Sequence, residues 1–187
     1  FLGVMKRYAD HIDAVFGSEP GKLKGYPGHE EVELALVKLY EVTREERYLK
    51  LAKYFVDERG QKPNYFDLEY EQCADKARYR NPREWGLKYS QAHLPVREQT
   101  TAEGHAVRAT YLYAAMADLA RETKDEELLD ACKALWENVT KRRMYVTGGI
   151  GSQAYAERFT IDYDLPNDTS YTETCASIGL IFWAQRM

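Results

Sequence analysis

The feature that most restricts how this chain can fold is a repeated opening. "GHEEVELALVKLYEV" and "EGHAVRATYLYAAMADLARET" both start around a Gly-His pair, Gly28-His29 and Gly104-His105, about 76 residues apart, and both continue with apolar residues at helical spacing. In the first, Val32, Leu36 and Leu39 share a face with Ala35 and Tyr40 beside it, the stripe of an amphipathic helix. A second helical pattern follows each. "TREERYLKLAKYFVDERG" offers Thr43 and Glu46 as a capping box, then Tyr48, Leu51, Ala52 and Phe55, and Gly60 as a stop. "KDEELLDACKALWENVTKRR" is the return partner of the later helix, and about 70 residues beyond His105 "YTETCASIGLIFWAQRM" begins a third apolar helix. This is the period of stacked helical hairpins with inserted loops.

Stacked hairpins build either an open solenoid or a closed toroid. In both, the first helices of successive hairpins run parallel, so their N-termini gather at one rim. That places His29, His105 and Cys175, each at the start of such a helix, on one side of an all-α molecule. The connections over 61–100 and 144–170 are long, and their Tyr, Trp and Phe content predicts ordered, functional loops. Strand content is expected to be at most a short β-hairpin between "MYVTGGIG" and "RFTIDY".

Charge and cysteine usage exclude several classes. The 30 acidic and 26 basic residues give a net charge of −4 and are mixed along the chain, which argues against a nucleic-acid partner. No run of about 18 apolar residues occurs, and Phe1 to Phe16 carries Lys6, Arg7, Asp10 and Asp13, so neither a membrane span nor a signal peptide is expected. Cys73, Cys132 and Cys175 are odd in number and far apart, against a disulfide framework and in favour of a reducing, cytoplasmic location. Cys132, in "LLDACKALW", lies on an apolar helical face and is expected in the core; Cys73 receives no role. A start at Phe1 and a stop within the apolar run "GLIFWAQRM" point to residues 1–187 as a segment of something larger.

The chemistry concentrates in "DYDLPNDTSYTETCASIGL". Residues two apart on a helix point about 200° from one another, whereas in extended backbone they share a face. Glu173 and Cys175 can therefore serve one ion only if both precede the helix, with Thr174 turned away and regular helix starting near Ala176. Carboxylate oxygen and thiolate sulfur are both zinc ligands, usually in a set of four. The bland alternative is a helix-N-terminal glutamate beside a buried thiol; for His29 and His105 it is a capping or core histidine. Glu157, in "AYAERFTIDYD", has Tyr155, Phe159 and Tyr163 nearby, which predicts a carboxyl raised into the range of a general acid, or else a plain surface carboxylate. Asp162, Asp164 and Asp168 read as turn and cap formers around Pro166 and Asn167.

The segments "YPGHEEVELALVKLYEVT", "LPVREQTTAEGHAVRATYLYAAMADLA", "MYVTGGIGS" and "FTIDYDLPNDTSYTETCASIGLIFWAQRM" together resemble the β-L-arabinofuranosidases of glycoside hydrolase family 127, formerly a domain of unknown function. The resemblance covers essentially all 187 residues. It implies that the chain is part of an (α/α)6 barrel, the middle portion of a single catalytic domain. It implies a retaining zinc-dependent exo-glycosidase: Glu157 as general acid/base, Glu173 and Cys175 as two of four Zn2+ ligands, and His29, His105 and Glu173 contacting the sugar. The family's nucleophile is a zinc-bound cysteine in a Cys-Cys pair, which this sequence lacks, so it and two zinc ligands are expected outside the segment, which alone should be inactive. Tyr26, Trp85, Tyr89 and Tyr155 are candidates to stack on the sugar. The implied partner is an arabinose-containing oligosaccharide or glycoconjugate, and the full-length protein is expected as a homodimer. Two alternatives stand beside this reading. One is another carbohydrate-active (α/α) barrel of the unsaturated glucuronyl hydrolase or sugar epimerase type, which needs no shared ion at Glu173 and Cys175. The other is a helical-repeat scaffold, which predicts a bland rim.

Overall fold

A computed structural model describes residues 1–76 and 82–187; the 77–81 stretch of the predicted 61–100 loop lies outside the described residues. The chain is helical, in the order α1 (Leu2–Val15), α2 (Val32–Thr43), α3 (Glu46–Glu58), α4 (Tyr65–Gln72), α5 (Pro82–Trp85), α6 (Ala106–Thr123), α7 (Glu126–Arg142) and α8 (Thr174–Ala184). Helices α2 and α3 form one hairpin and α6 and α7 the next, as the apolar periodicity predicts. Among the described residues no helix is long and apolar enough to cross a membrane. The architecture is that of the expected helical-hairpin toroid, a partial (α/α)6 barrel.

Helix α6 is the hub. It packs against α2 and α3 on one side and α7 and α8 on the other, and its residues from Leu112 to Met116 are wholly buried. Small side chains make this many-sided packing feasible: Ala109, Ala114, Ala115 and Ala120 let neighbouring backbones approach, while Leu112 and Met116 fill the spaces between, each side chain contributing roughly 1.5–3 kcal/mol. Trp183 near the end of α8 is fully buried between Tyr113 and Trp136, its ring centroid 4.9 Å from each. Cys132 is a core residue, as expected, its Sγ 3.4 Å from the Tyr113 carbonyl. The opposite face of α8 leaves Ile178, Ile181 and Phe182 in solvent.

The boundaries carry one correction. Thr43 does not cap α3; it ends α2, where its hydroxyl donates to the Leu39 carbonyl at 2.7 Å, as a helical threonine commonly does. Arg44 then turns the chain at φ 59° and α3 begins at Glu46 without a side-chain cap. The short hairpin set as the upper limit of strand content does not form. "MYVTGGIG" closes on itself through a Met144–Ile150 bridge, and Arg158 of "RFTIDY" pairs instead with Gln153 and His105. Gly60 does end the α3 segment, at φ 82°.

In the described part of the 61–100 connection, amide side chains satisfy the backbone. The Gln91 amide donates to the Glu103 carbonyl (2.7 Å), Gln99 to those of Gln91 and Leu94 (2.8 Å each), and Asn64 to that of Ala92 (2.8 Å). A second device holds the approach to α2. Arg59 is fully buried and donates to the carbonyls of Pro27 (2.7 Å) and Ser90 (2.9 Å), beneath the Tyr26 ring. Glu33 accepts from it at 3.4 Å, and Glu30 Oε1 lies 2.9 Å away but off-axis for a hydrogen bond. Burial pushes the Glu30 carboxyl up to about 7.

Helices α6 and α8 meet where Gly179 faces Thr110: a Cβ at 179 would overlap the Thr110 side chain, which is buried and bonded to the Ala106 and Val107 carbonyls. Helix propensity favours alanine over glycine by about 1 kcal/mol, whereas overpacking costs about 1–3 kcal/mol. Gly179→Ala is expected to lower stability by about 1–2 kcal/mol in denaturant unfolding; a gain would mean the crossing is loose.

Candidate functional site

Three helix starts converge. His29 precedes α2, His105 is the N-cap residue of α6, and Glu173 is the N-cap residue of α8. The His29 and His105 ring centroids are 6.2 Å apart. Ligand atoms of His105, Glu157 and Glu173 all lie within 4.8 Å of one another, and among the described residues this is the group that could hold a metal ion. Gathering at one rim is thus realised, with Glu173 rather than Cys175 as the α8-end residue that joins His105 in this group.

Helix α8 begins two residues earlier than the sequence reading requires. Cys175 already lies within it, and only Glu173 is non-helical, at ψ 140°. One extended residue keeps the pair close enough for the Glu173 carboxylate to raise the pKa of the Cys175 thiol. Cys175 is exposed, so it is not the buried thiol of the bland alternative.

Glu157 arrives by an unusual route. Ala156 and Glu157 both adopt left-handed backbone, φ 60° and 49°, at the end of a short 3-10 turn; single left-handed L-residues cost roughly 1–2 kcal/mol. The turn is pinned on both flanks, by Gln153 N–H to the Arg158 carbonyl (3.2 Å) and Phe159 N–H to the Gly104 carbonyl (2.9 Å). Its carboxylate accepts from the Tyr171 hydroxyl at 2.7 Å and lies 2.8 Å from His105 Nε2. The Tyr171 bond first, then His105, holds the carboxyl below its ordinary value. This corrects the sequence reading: the neighbours expected to raise it turn elsewhere, with Tyr155 and Tyr163 largely in solvent and Phe159 in the core. Burial depresses His105, so its contact with Glu157 is a hydrogen bond from a neutral ring near neutral pH rather than an ion pair.

The aromatic candidates divide. Tyr26 is buried, donates to Asn64 and stacks on Arg59, so it is a core residue and no sugar platform. Trp85, Tyr89 and His105 form an edge-on chain at 4.4 and 5.4 Å, with Tyr155 5.9 Å from Trp85. The sequence gives little warning of Tyr171, one of 15 tyrosines; its i, i+2 spacing from Glu173 is the one local hint. Arg108 has no such signal, yet its guanidinium lies 4.9 Å from the Tyr89 ring and donates to the Gly28 carbonyl, tying α6 to the His29 segment.

Comparison with known proteins meets this geometry. The sequence profile of the β-L-arabinofuranosidase GH127 catalytic domain matches residues 1–187. The chain belongs to glycoside hydrolase family 127. It is 48% identical over 186 residues to a non-reducing end β-L-arabinofuranosidase of Bifidobacterium longum subsp. longum, matching 100% of this chain and 28% of that protein. The crystal structure of a GH127 β-L-arabinofuranosidase from Geobacillus stearothermophilus T6 superimposes with a TM-score of 0.94 at 58% identity, over 100% of this chain and 29% of that one. A second GH127 β-arabinofuranosidase structure gives 0.83 at 40% identity, over 99% and 26%. The chain therefore spans under a third of the family members it matches.

Of the other loop carboxylates, Asp162 stands in a turn, closed by the Asp164 N–H on the Ile161 carbonyl (3.3 Å), and is an anchor as well. It accepts from Arg143 (2.8 Å), Asn138 (3.0 Å) and Arg142 (3.1 Å), tying the segment after Glu157 to α7. The Arg143 bond first holds Asp162 below its ordinary 3.8. A carboxyl depressed by folding stabilises above its unfolded value and ceases to as pH falls through the lower folded one. Amide exchange of 158–165 is expected to stay slow down to about pH 4 and accelerate below it, whereas Asp162→Asn should accelerate it already at neutral pH; unchanged exchange in the variant would remove the anchor role.

Proposed function

We propose that the whole protein of which these residues form part is a retaining exo-glycosidase that releases β-linked L-arabinofuranosyl groups from oligosaccharides or glycoconjugates. Residues 1–187 are read as the middle portion of its single barrel domain. The observation that carries the proposal is the Glu157 carboxylate held between Tyr171 and His105 where three helix starts converge, in a chain of this family. The exposed apolar faces of α1 and α8 are consistent with further barrel helices beside them. Three free thiols suit a reducing, cytoplasmic setting.

Glu157 acts twice in this reading. As an acid it gives a proton to the glycosidic oxygen as the bond to the anomeric carbon breaks, and as a base it takes one from the water that releases the sugar. The resting geometry suits the second role directly, since both oxygens accept hydrogen bonds. His29, with its ring half exposed beside His105 and Tyr111, is placed to bind sugar hydroxyls, as is Glu173. The nucleophile is a cysteine outside this segment.

The residues present fit the zinc ion that the family implies. Glu173 and Cys175 supply a carboxylate and a thiol on either side of one residue, close enough for the carboxylate to raise the thiol's pKa, and carboxylate oxygen and thiolate sulfur are both donors that zinc takes once the thiol has lost its proton. Glu157 is less available, since both its oxygens have donors. Glu173 and Cys175 would hold the ion with two ligands from outside the segment, and zinc, when bound, keeps a coordinated thiol deprotonated near neutral pH.

In the full-length protein, Glu157→Gln is expected to reduce hydrolysis of a β-L-arabinofuranosyl disaccharide by roughly 10²–10⁴-fold; an unaffected rate would end the acid/base assignment. Metal analysis should find zinc in that protein and less of it after Cys175→Ala, and a zinc-free active enzyme would overturn the ligand set. Residues 1–187 alone should release no arabinose from an aryl β-L-arabinofuranoside.

A further inference from the structure

Each oxygen of the Glu157 carboxylate has its own partner. Tyr171 donates to Oε1 at 2.7 Å and His105 Nε2 lies 2.8 Å from Oε2. The role of the histidine is decided at its other nitrogen. Nδ1 accepts the Arg108 N–H at 3.3 Å as the side-chain cap of α6, so the neutral ring carries its hydrogen on Nε2 and presents it to Glu157. Turning the ring over would strip an orphan N–H of the helix. The His105 half of the arrangement is therefore built into a helix start.

The tyrosine half is built into backbone. Tyr171 N–H donates to the Ser152 carbonyl (3.2 Å) and Thr172 N–H to that of Gly151 (3.0 Å). Thr172 also packs against Gly149, where a Cβ would lie 2.8 Å from its own. The strip that leads into the left-handed turn at Glu157 thus also seats Tyr171, and the two side chains keep their spacing together. With one oxygen held from each side, the carboxylate plane cannot rotate about its terminal torsion, which is otherwise broad.

We propose that Tyr171 is a positioning residue for proton transfer: its hydroxyl, opposed by the cap-fixed His105, sets the carboxylate plane of Glu157 and so aims the oxygen that delivers and recovers the proton. The inference rests on Glu157 being the general acid/base. Tyr171 need not touch the sugar, and it donates no proton in the net reaction. Misalignment of the acid matters in proportion to how much protonation the leaving group needs. A disaccharide or alkyl arabinoside departs as a basic alkoxide and depends on the proton; an aryl arabinoside with an acidic phenol does not.

The test compares kcat/KM, which reports the bond-breaking half-reaction, for those two substrate types in the full-length protein. Tyr171→Phe should lose about 10–100-fold on the disaccharide and less than about 3-fold on an acidic aryl arabinoside. His105→Asn, which keeps a capping oxygen for α6 but cannot reach Glu157, should show the same leaving-group dependence. Glu157→Gln is the reference: if it shows no such dependence, the acid/base reading itself fails. If it does and Tyr171→Phe slows both substrates equally or neither, Tyr171 is only structural and the positioning role is overturned. Should Tyr171→Phe fail to fold, by circular dichroism, the His105→Asn ratio decides in its place.

Discussion

The candidate site hangs from the N-terminal end of one buried helix. His105 caps α6, Phe159 bonds to the Gly104 carbonyl just before it, Glu173 opens the helix packed against one side of it and His29 precedes the helix packed against the other. That arrangement is feasible because α6 is rich in alanine and can be enclosed on all sides. The close approach of Gly179 to Thr110 fixes how far α8 slides along it, and hence where Glu173 stands relative to His105. Packing of apolar and small residues in the body of the barrel therefore sets polar distances at its rim.

Charge reinforces what packing sets. Arg108, in the first turn of α6, donates its N–H to the His105 cap and holds the Gly28 carbonyl with its side chain. Arg59 holds the same approach to α2 from beneath, at Pro27. A buried guanidinium between Glu30 and Glu33 is costly to desolvate and is retained only with its hydrogen bonds largely filled, which the Pro27 and Ser90 carbonyls provide. His29 is thereby gripped from both sides although its own ring stays half exposed.

What could be read from the sequence follows from range. The hairpins have a local cause, apolar spacing of 3.6, and their parallel stacking by itself implies the shared rim. Helix α4, eight residues in an aromatic loop with an Asn64 cap, has too few turns for periodicity to separate it from loop. The state of Glu157 is not legible locally, because its sequence neighbours leave it at the left-handed turn and its partners come from 14 and 52 residues away. The buried Arg59 cluster was invisible for a related reason: Glu30 and Glu33 at a helix start look like an ordinary solvated face, and nothing local says that a cation from α3 lies under them.

The left-handed pair Ala156–Glu157 also bears on how this region tolerates change in length. A connection of some thirty residues between α7 and α8 has the appearance of a segment where insertions are harmless. Between Met144 and Thr172, however, it is tacked down at the Ile150 bridge, at Gln153–Arg158, at Gly104 and at Gly151–Ser152. One added residue between Gly151 and Glu157 would move the handedness-reversing step to a different side chain and present Ala156 or the added residue where the carboxylate stands. In this loop register is as strict as in a sheet.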